Sequence, residues 1–68
     1  MITQIGLVAG DIWHYLDTHK DVTLDELIRN IGKPRELILM GLGWLGREGH
    51  VIIKEKNGNY DVELRKND

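Results

Sequence analysis

Residues 49–64, with the sequence GHVIIKEKNGNYDVEL, contain the pattern that decides the fold of this chain. Apolar and polar side chains alternate on both sides of Asn57-Gly58, the dipeptide most typical of a two-residue hairpin turn. Strands are predicted over residues 51–55 and 60–64. The turn sets the opposing pairs, which are Ile53 with Val62, Val51 with Leu64 and, on the other face, Lys54 with Asp61. The stretch therefore predicts a β-hairpin with one apolar face.

Upstream of the hairpin, the sequence predicts two helices separated by a short turn. Thr23 and Glu26 form the capping-box pattern that starts a helix. Gly32 is typical of the residue that ends one, and Pro34 suits the first turn of the next. These signals predict helices over residues 24–31 and 34–48. The few residues between them give the spacing of a helix-turn-helix.

The first helix is predicted over residues 2–18 from apolar residues at helical spacing. Its expected core face consists of Ile2, Ile5, Ala9, Ile12, Trp13 and Leu16. Val22 stands alone among polar neighbours and is expected to make one bridge to the sheet. The order helix, bridge strand, helix, helix, strand, turn, strand predicts a winged helix, a mainly helical α+β fold. We expect a single domain over residues 1–68.

Two sequence patterns, one in the first helix and one in the third, add a family resemblance. They are Ile5-Gly6 with Ala9-Gly10-Asp11-Ile12-Trp13 and Leu16, and Gly43-Trp44-Leu45-Gly46-Arg47-Glu48-Gly49. Together they resemble a small prokaryotic winged helix-turn-helix family that is described as a domain of unknown function. The resemblance covers most of the chain and implies a winged-helix fold and a DNA-binding role. Gly46 stands where an alanine is expected, a departure that concerns packing.

Several glycines lie inside predicted helices, where each costs roughly 1 kcal/mol relative to alanine. We expect a close approach of two helices to offset that cost. The hypothesis is that Trp44 packs on the first helix near Gly6 and Gly10, and that Trp13 and Trp44 are core residues. The expected core stripe of the third helix is Leu37, Gly41, Trp44 and Leu45.

The composition argues against catalysis. The chain has 68 residues and no cysteine, and its small core leaves little room for an enzyme pocket. It also lacks serine, a nucleotide-binding loop and any metal-ligand spacing among its three histidines. We therefore expect no enzyme activity, cofactor or metal. The sequence predicts neither a secretory signal nor a membrane span, so a cytoplasmic location is the default expectation.

Positive charge is concentrated where a winged helix contacts DNA. Residues 33–60 contain five basic and three acidic side chains, a net charge of +2 in a chain whose total is −2. The basic residues are Lys33, Arg35, Arg47, Lys54 and Lys56. In this fold the third helix enters the major groove and the hairpin contacts the backbone or minor groove. The leading prediction is a transcriptional regulator that binds double-stranded DNA, chiefly through phosphates.

A different function is indicated by the apolar character of the third helix. Residues 37–45 include seven large apolar side chains, more than one core stripe covers. Leu39 and Leu42 are expected to point away from the core, with Ile38 beside them. The alternative is therefore a protein-interaction or homodimerisation module that docks through Leu39, Leu42 and Ile38 and binds no nucleic acid.

Overall fold

The computed structural model describes residues 2–65 and contains three helices and three strands. In chain order the elements are α1 (Ile2–Thr18), β1 (Val22–Thr23), α2 (Leu24–Ile31), α3 (Arg35–Arg47), β2 (Val51–Lys56) and β3 (Asn59–Leu64). This order confirms the predicted winged helix. The third helix is one residue shorter at each end than predicted, because Pro34 is its N-cap and Glu48 its C-cap.

Helix α2 begins and ends at the residues that the sequence predicts as its caps. Thr23 is the N-cap, and its Oγ1 accepts a hydrogen bond from the Glu26 backbone N–H at 3.1 Å. Gly32 ends the helix in the left-handed region with φ 75°. Within the described residues the Glu26 carboxylate does not close the capping box. It accepts a hydrogen bond from the Tyr15 hydroxyl at 2.6 Å and so ties α2 to α1.

Tyr15 is the centre of a small polar network between α1 and α2. Its hydroxyl also accepts a hydrogen bond from Asn30 Nδ2 at 3.2 Å, and its ring stacks on His19 with centroids 3.9 Å apart. The hydrogen bond to the Glu26 carboxylate holds the Tyr15 pKa above its ordinary value of 10.0, because only the neutral phenol can donate it.

The sheet is antiparallel, with β3 between β1 and β2. The hairpin register matches the prediction, with the pairs Val51–Leu64, Ile53–Val62, Lys54–Asp61 and Lys56–Asn59. Asn57 and Gly58 both have positive φ, 53° and 82°, which is the type I′ turn that suits the twist of a hairpin. Val22 pairs with Val62, which confirms the predicted bridge from β1 to the sheet.

The core lies between α1, α2, the inner side of α3 and one face of the sheet. Its buried members are Val8, Ala9, Ile12, Leu16, Val22, Leu27, Ile38, Leu42, Leu45, Val51 and Val62. Ala9, Ile12 and Leu16 were expected in the core from the sequence, and Ile5 is only half-buried. The side chain of Ile2 lies outside the described residues.

The predicted burial of the two tryptophans is wrong. Trp13 in α1 is 38% exposed. Trp44 is 49% exposed, because α3 is rotated relative to the expected stripe. Ile38, Gly41, Leu42 and Leu45 face the core, and Leu37 is only half-buried. Gly41 and Leu45 belong to both the expected and the observed stripe, and the backbone of Ala9 in α1 lies against Gly41.

A glycine does permit a close approach of α1 and α3, as predicted, but it is Gly41 and not Gly6 or Gly10. A Cβ added to Gly41 would lie 3.2 Å from the backbone nitrogen of Ala9, so this glycine permits the close approach of α1 and α3. A Cβ added to Gly6 or Gly10 would meet no atom within 4 Å. Trp44 does lie beside Gly6 and Gly10, but across an open surface groove and without close packing.

Candidate nucleic-acid interface

The helix-turn-helix is formed by α2, the turn at residues 32–34 and α3. Arg35 is the first residue of α3 and is exposed. It borders a surface depression that it shares with the start of α2 and with the hairpin tip, residues 58–60. The N-terminus of α3 and the tip of the hairpin therefore lie next to each other, although Arg35 and Gly58 are 23 positions apart in the chain.

The other exposed basic side chains of the predicted set lie at different distances from this depression. Lys33 lies in the turn, two residues before Arg35, and Lys56 flanks the hairpin turn opposite Asn59. Arg47 is the last residue of α3, about 18 Å from Arg35 along the helix axis at 1.5 Å per residue. The predicted basic residues thus lie at the two ends of α3 and at the tip of the hairpin.

Lys54 differs from the other four predicted residues. Its Nζ lies 3.3 Å from Glu63 Oε1, in an exposed ion pair across the outer face of the sheet. It also lines a groove with Asp21 and Asp61. An exposed ion pair of this kind is worth little to folding. It nevertheless reduces the positive charge that Lys54 offers to a phosphate.

The outer face of α3 has few groups that read bases. Leu39, Met40 and Gly43 occupy the middle of this exposed surface, and Glu36 stands near its N-terminal end. Base edges are read mainly by arginine, lysine and amide or hydroxyl side chains. Along this helix only Arg35 and Arg47 belong to that group, so the surface is better suited to phosphate contact than to base readout.

The predicted protein-docking surface on α3 requires a correction. Ile38 is 0% exposed and Leu42 is 4% exposed, since both fill the core beneath α1. Only Leu39, at 37% exposure, faces outward as expected. Two of the three predicted docking residues are therefore unavailable to a partner. The error follows from the rotation of α3 described above.

Sequence reasoning missed an apolar groove between α1 and α3. It is lined by Gly6, Ala9, Gly10, Trp13, Trp44, Leu45 and His50. Leu7 is exposed on the outer side of α1. An α3 that is apolar nearly all round gives no periodic signal to show which residues face outward. The rotation of that helix became visible only in the packed structure.

Between residues 2 and 65, histidine and carboxylate side chains form no group of three or more arranged to hold a metal ion. None of the helices in that range has the length and apolar character required to cross a bilayer.

The fold defines a winged helix-turn-helix domain, a class whose members are typically not enzymes. The chain belongs to the winged helix-turn-helix domain family DUF2582, whose model matches residues 1–64. This match confirms the resemblance seen in the sequence.

Two similar proteins extend the comparison. An uncharacterized protein of Methanocaldococcus jannaschii, MJ1608, is 27% identical over 64 residues, which is 91% of this chain and 91% of that protein. The solution NMR structure of BT2368 from Bacteroides thetaiotaomicron superimposes with a TM-score of 0.80 at 32% identity. The superposition covers 91% of this chain and 76% of that one. The same fold is therefore found in a solved structure, over most of both chains.

Proposed function

We propose that this chain is a DNA-binding winged-helix domain that acts as a transcriptional regulator through α3 and the hairpin. The observation that carries the proposal is the shared depression bordered by Arg35 and the hairpin tip. In winged helices that bind DNA, the third helix and the hairpin contact the same duplex. A common surface for both elements supports that mode of binding here.

Arg35 and Lys56 are the main proposed contacts, because they lie on α3 and on the hairpin near this depression. Lys33 lies close to Arg35 in the chain and adds a second positive charge at the turn. Arg47 contacts the DNA backbone from the C-terminal end of α3. We propose a smaller contribution from Lys54, whose charge is shared with Glu63.

Binding by this surface depends on phosphates and discriminates weakly between sequences. Leu39, Met40 and Gly43 give the middle of α3 little hydrogen-bonding capacity, apart from apolar contact with a thymine methyl group. Glu36 repels phosphate. Affinity that comes mainly from phosphate contacts falls steeply as salt is raised, because bound counterions are released from the DNA.

The first experiment is an NMR titration of labelled protein with a mixed-sequence duplex at low and at moderate salt. We expect amide shifts in residues 33–47 and 54–59 that diminish as salt is added. A spectrum that does not change even at low salt would contradict the proposal. It would favour the protein-interaction alternative, for which Leu39 is the one exposed residue of the three predicted docking residues.

Single substitutions then test the individual contacts. Arg35→Ala and Lys56→Ala should each weaken binding and make the negative slope of log affinity against log salt shallower by about 0.9. Lys20→Ala is the matched control. It removes the same charge from an exposed site near the opposite end of β3, where Lys20 and Leu64 line one surface depression. Equal losses in all three variants, measured by fluorescence anisotropy, would indicate a general charge effect and no defined surface.

A further inference from the structure

The two tyrosines of this chain have different surroundings. The hydroxyl of Tyr15 is used within the fold, since it donates a hydrogen bond to Glu26 and accepts one from Asn30. Tyr60 is 44% exposed at the hairpin tip, and its hydroxyl has no hydrogen-bond partner within residues 2–65. A phenol hydroxyl both donates and accepts hydrogen bonds. The hydroxyl of Tyr60 is therefore available to a ligand.

The side chain of Tyr60 lies on the side of the hairpin that faces the helices. Side chains two residues apart in a strand share a face, so Tyr60 lies on the same face as Val62. Val62 is buried in the core, which makes this face the inner one. Asn59 and Lys56 form the pair next to the turn and lie on the outer face. Tyr60 is therefore directed towards the helices, whereas Asn59 and Lys56 are directed away from them.

Arg35 of α3 and Tyr60 of β3 line the same surface depression, together with residues from the start of α2 and with Gly58 and Asn59. Arg35 is exposed and forms no ion pair among the described residues. A guanidinium is permanently charged and only donates hydrogen bonds, while a phenol is neutral near pH 7. One open space thus has a charged donor on its α3 side and a neutral donor on its hairpin side.

The proposed function places one part of the DNA over this depression. When the third helix lies in the major groove and the hairpin contacts the adjoining backbone or minor groove, one sugar-phosphate strand separates the two elements. That strand has to pass between the start of α3 and the hairpin tip, where the depression lies. Arginine and tyrosine side chains both donate hydrogen bonds to phosphate oxygens.

We propose that the depression holds this backbone strand, and that the Tyr60 hydroxyl donates a hydrogen bond to one of its phosphate oxygens. Arg35 contacts the same strand from the α3 side of the depression. The inference rests on the proposed function and adds to it a contact that the charge pattern does not reveal, because a phenol is neutral. Such a contact positions the hairpin on the duplex and neutralises no phosphate.

Two carboxylates lie near the proposed position of the strand. Asp25 is exposed in the first turn of α2 and lines the depression. Glu55 is the cross-strand partner of Tyr60 and is exposed on the same face of the hairpin. Both repel a phosphate and offset the charge of Arg35. A neutral donor such as Tyr60 therefore contributes a larger share of the attraction at this point.

The test measures binding of a mixed-sequence duplex by fluorescence anisotropy over a range of salt concentrations. Tyr60→Phe should weaken binding by about 2- to 10-fold, the usual range for one hydrogen bond. The slope of log affinity against log salt should stay that of the wild type, because no charge is removed. Tyr15→Phe is the matched control. It removes the same atom from a hydroxyl that is bonded within the fold, so its affinity should equal that of the wild type.

A double-mutant cycle tests whether Tyr60 and Arg35 contact the same strand. The loss in the variant carrying both Tyr60→Phe and Arg35→Ala should be smaller than the product of the two single losses. Once Arg35 is removed, the strand is held less firmly beside Tyr60. Arg47→Ala is the control partner, because Arg47 lies about 18 Å from Arg35 along α3. Its loss and that of Tyr60→Phe should multiply.

The carboxylate on the depression gives a test with the opposite sign. Asp25→Asn should tighten binding by about 2- to 5-fold, the scale of one exposed charge interaction, because it removes a charge that repels the strand. Asp17→Asn removes the same charge from an exposed site that lines a depression near the opposite end of β3. It should have a smaller effect. Equal gains in the two variants would contradict the placement of the strand beside Asp25.

The outcomes separate this inference from the proposed function. A wild-type chain that binds no duplex even at low salt overturns both. If the wild type binds and Arg35→Ala weakens binding, an unchanged affinity of Tyr60→Phe overturns the hydroxyl contact alone. A shallower salt slope for Tyr60→Phe also overturns it, and losses that multiply between Tyr60→Phe and Arg35→Ala reject the shared strand. Circular dichroism of each variant, matched to the wild type, excludes unfolding as the cause.

Discussion

The inner and outer faces of α3 have similar apolar compositions and opposite environments. On the inner face Ile38, Leu42 and Leu45 are buried and surround Gly41. On the outer face Leu39, Met40 and Trp44 are at least one third exposed. Since both faces are apolar, composition did not decide which one is buried. At the centre of the inner face the backbone of Ala9 lies against Gly41, so closely that a Cβ added there would be 3.2 Å from the Ala9 nitrogen.

The largest expected difference between the two faces is in the cost of removing a side chain. Ile38→Ala should lower the free energy of unfolding by about 2–5 kcal/mol, because it leaves a cavity in a small core. Leu39→Ala should change it by no more than about 0.5 kcal/mol. Urea unfolding followed by circular dichroism measures both.

A domain of this size has little stability to spare, so Ile38→Ala is at risk of not folding. Ile38→Val provides a milder test, with an expected loss of about 0.5–1.5 kcal/mol. If Leu39→Ala proved as costly as Ile38→Val, the assignment of inner and outer faces would be wrong.

The second comparison places alanine at glycines on the two faces. Gly41→Ala should destabilise the fold by about 1–3 kcal/mol, the usual cost of overpacking. The added methyl group would lie 3.2 Å from a backbone atom of Ala9, which cannot move without shifting α1. Thermal unfolding of the variant checks this expectation. A rise in Tm would show that α1 and α3 are less tightly packed at this point than the structure indicates.

The smallest expected effect is a gain. Gly43→Ala should raise the free energy of unfolding by about 0.5–1 kcal/mol, because the site is open and alanine is the better helix former. Gly46→Ala should do the same, since its methyl group would meet Ile53 and Val51 at ordinary contact distances of 3.9 and 4.0 Å. Denaturant midpoints with an unchanged m-value would establish the gain, and a loss at Gly43 would contradict it.

Much of the fold was predictable because its signals are local. Thr23 caps α2 through an atom three residues away, and Gly32 ends that helix by its backbone freedom alone. Asn57-Gly58 determines the turn type, and the turn type determines the hairpin register. In each case the interacting groups are close in the chain, so the sequence pattern contains the whole interaction.

The candidate interface was predictable only in part. The basic residues were recognised from charge, but their grouping was not. Nothing local indicates that Arg35 lies beside the hairpin tip, or that Lys54 is paired with Glu63. Both contacts form when the hairpin folds and packs against the helices. The tryptophans failed as core predictions for a related reason, since a large apolar residue at the border of a stripe is buried only if a neighbouring element covers it.

The sequence by itself determined the elements, their order and the strand register, because helix caps, turn conformation and periodicity act over a few residues. The tertiary structure decided which face of α3 is buried, that Arg35 lies beside the hairpin tip, and that the outer side of β2 is open between residues 2 and 65. These depend on contacts between distant segments, of which Gly41 against Ala9 is one. A helix that is apolar on several sides can bury any of several faces, and the shape of the neighbouring elements determines which face is buried.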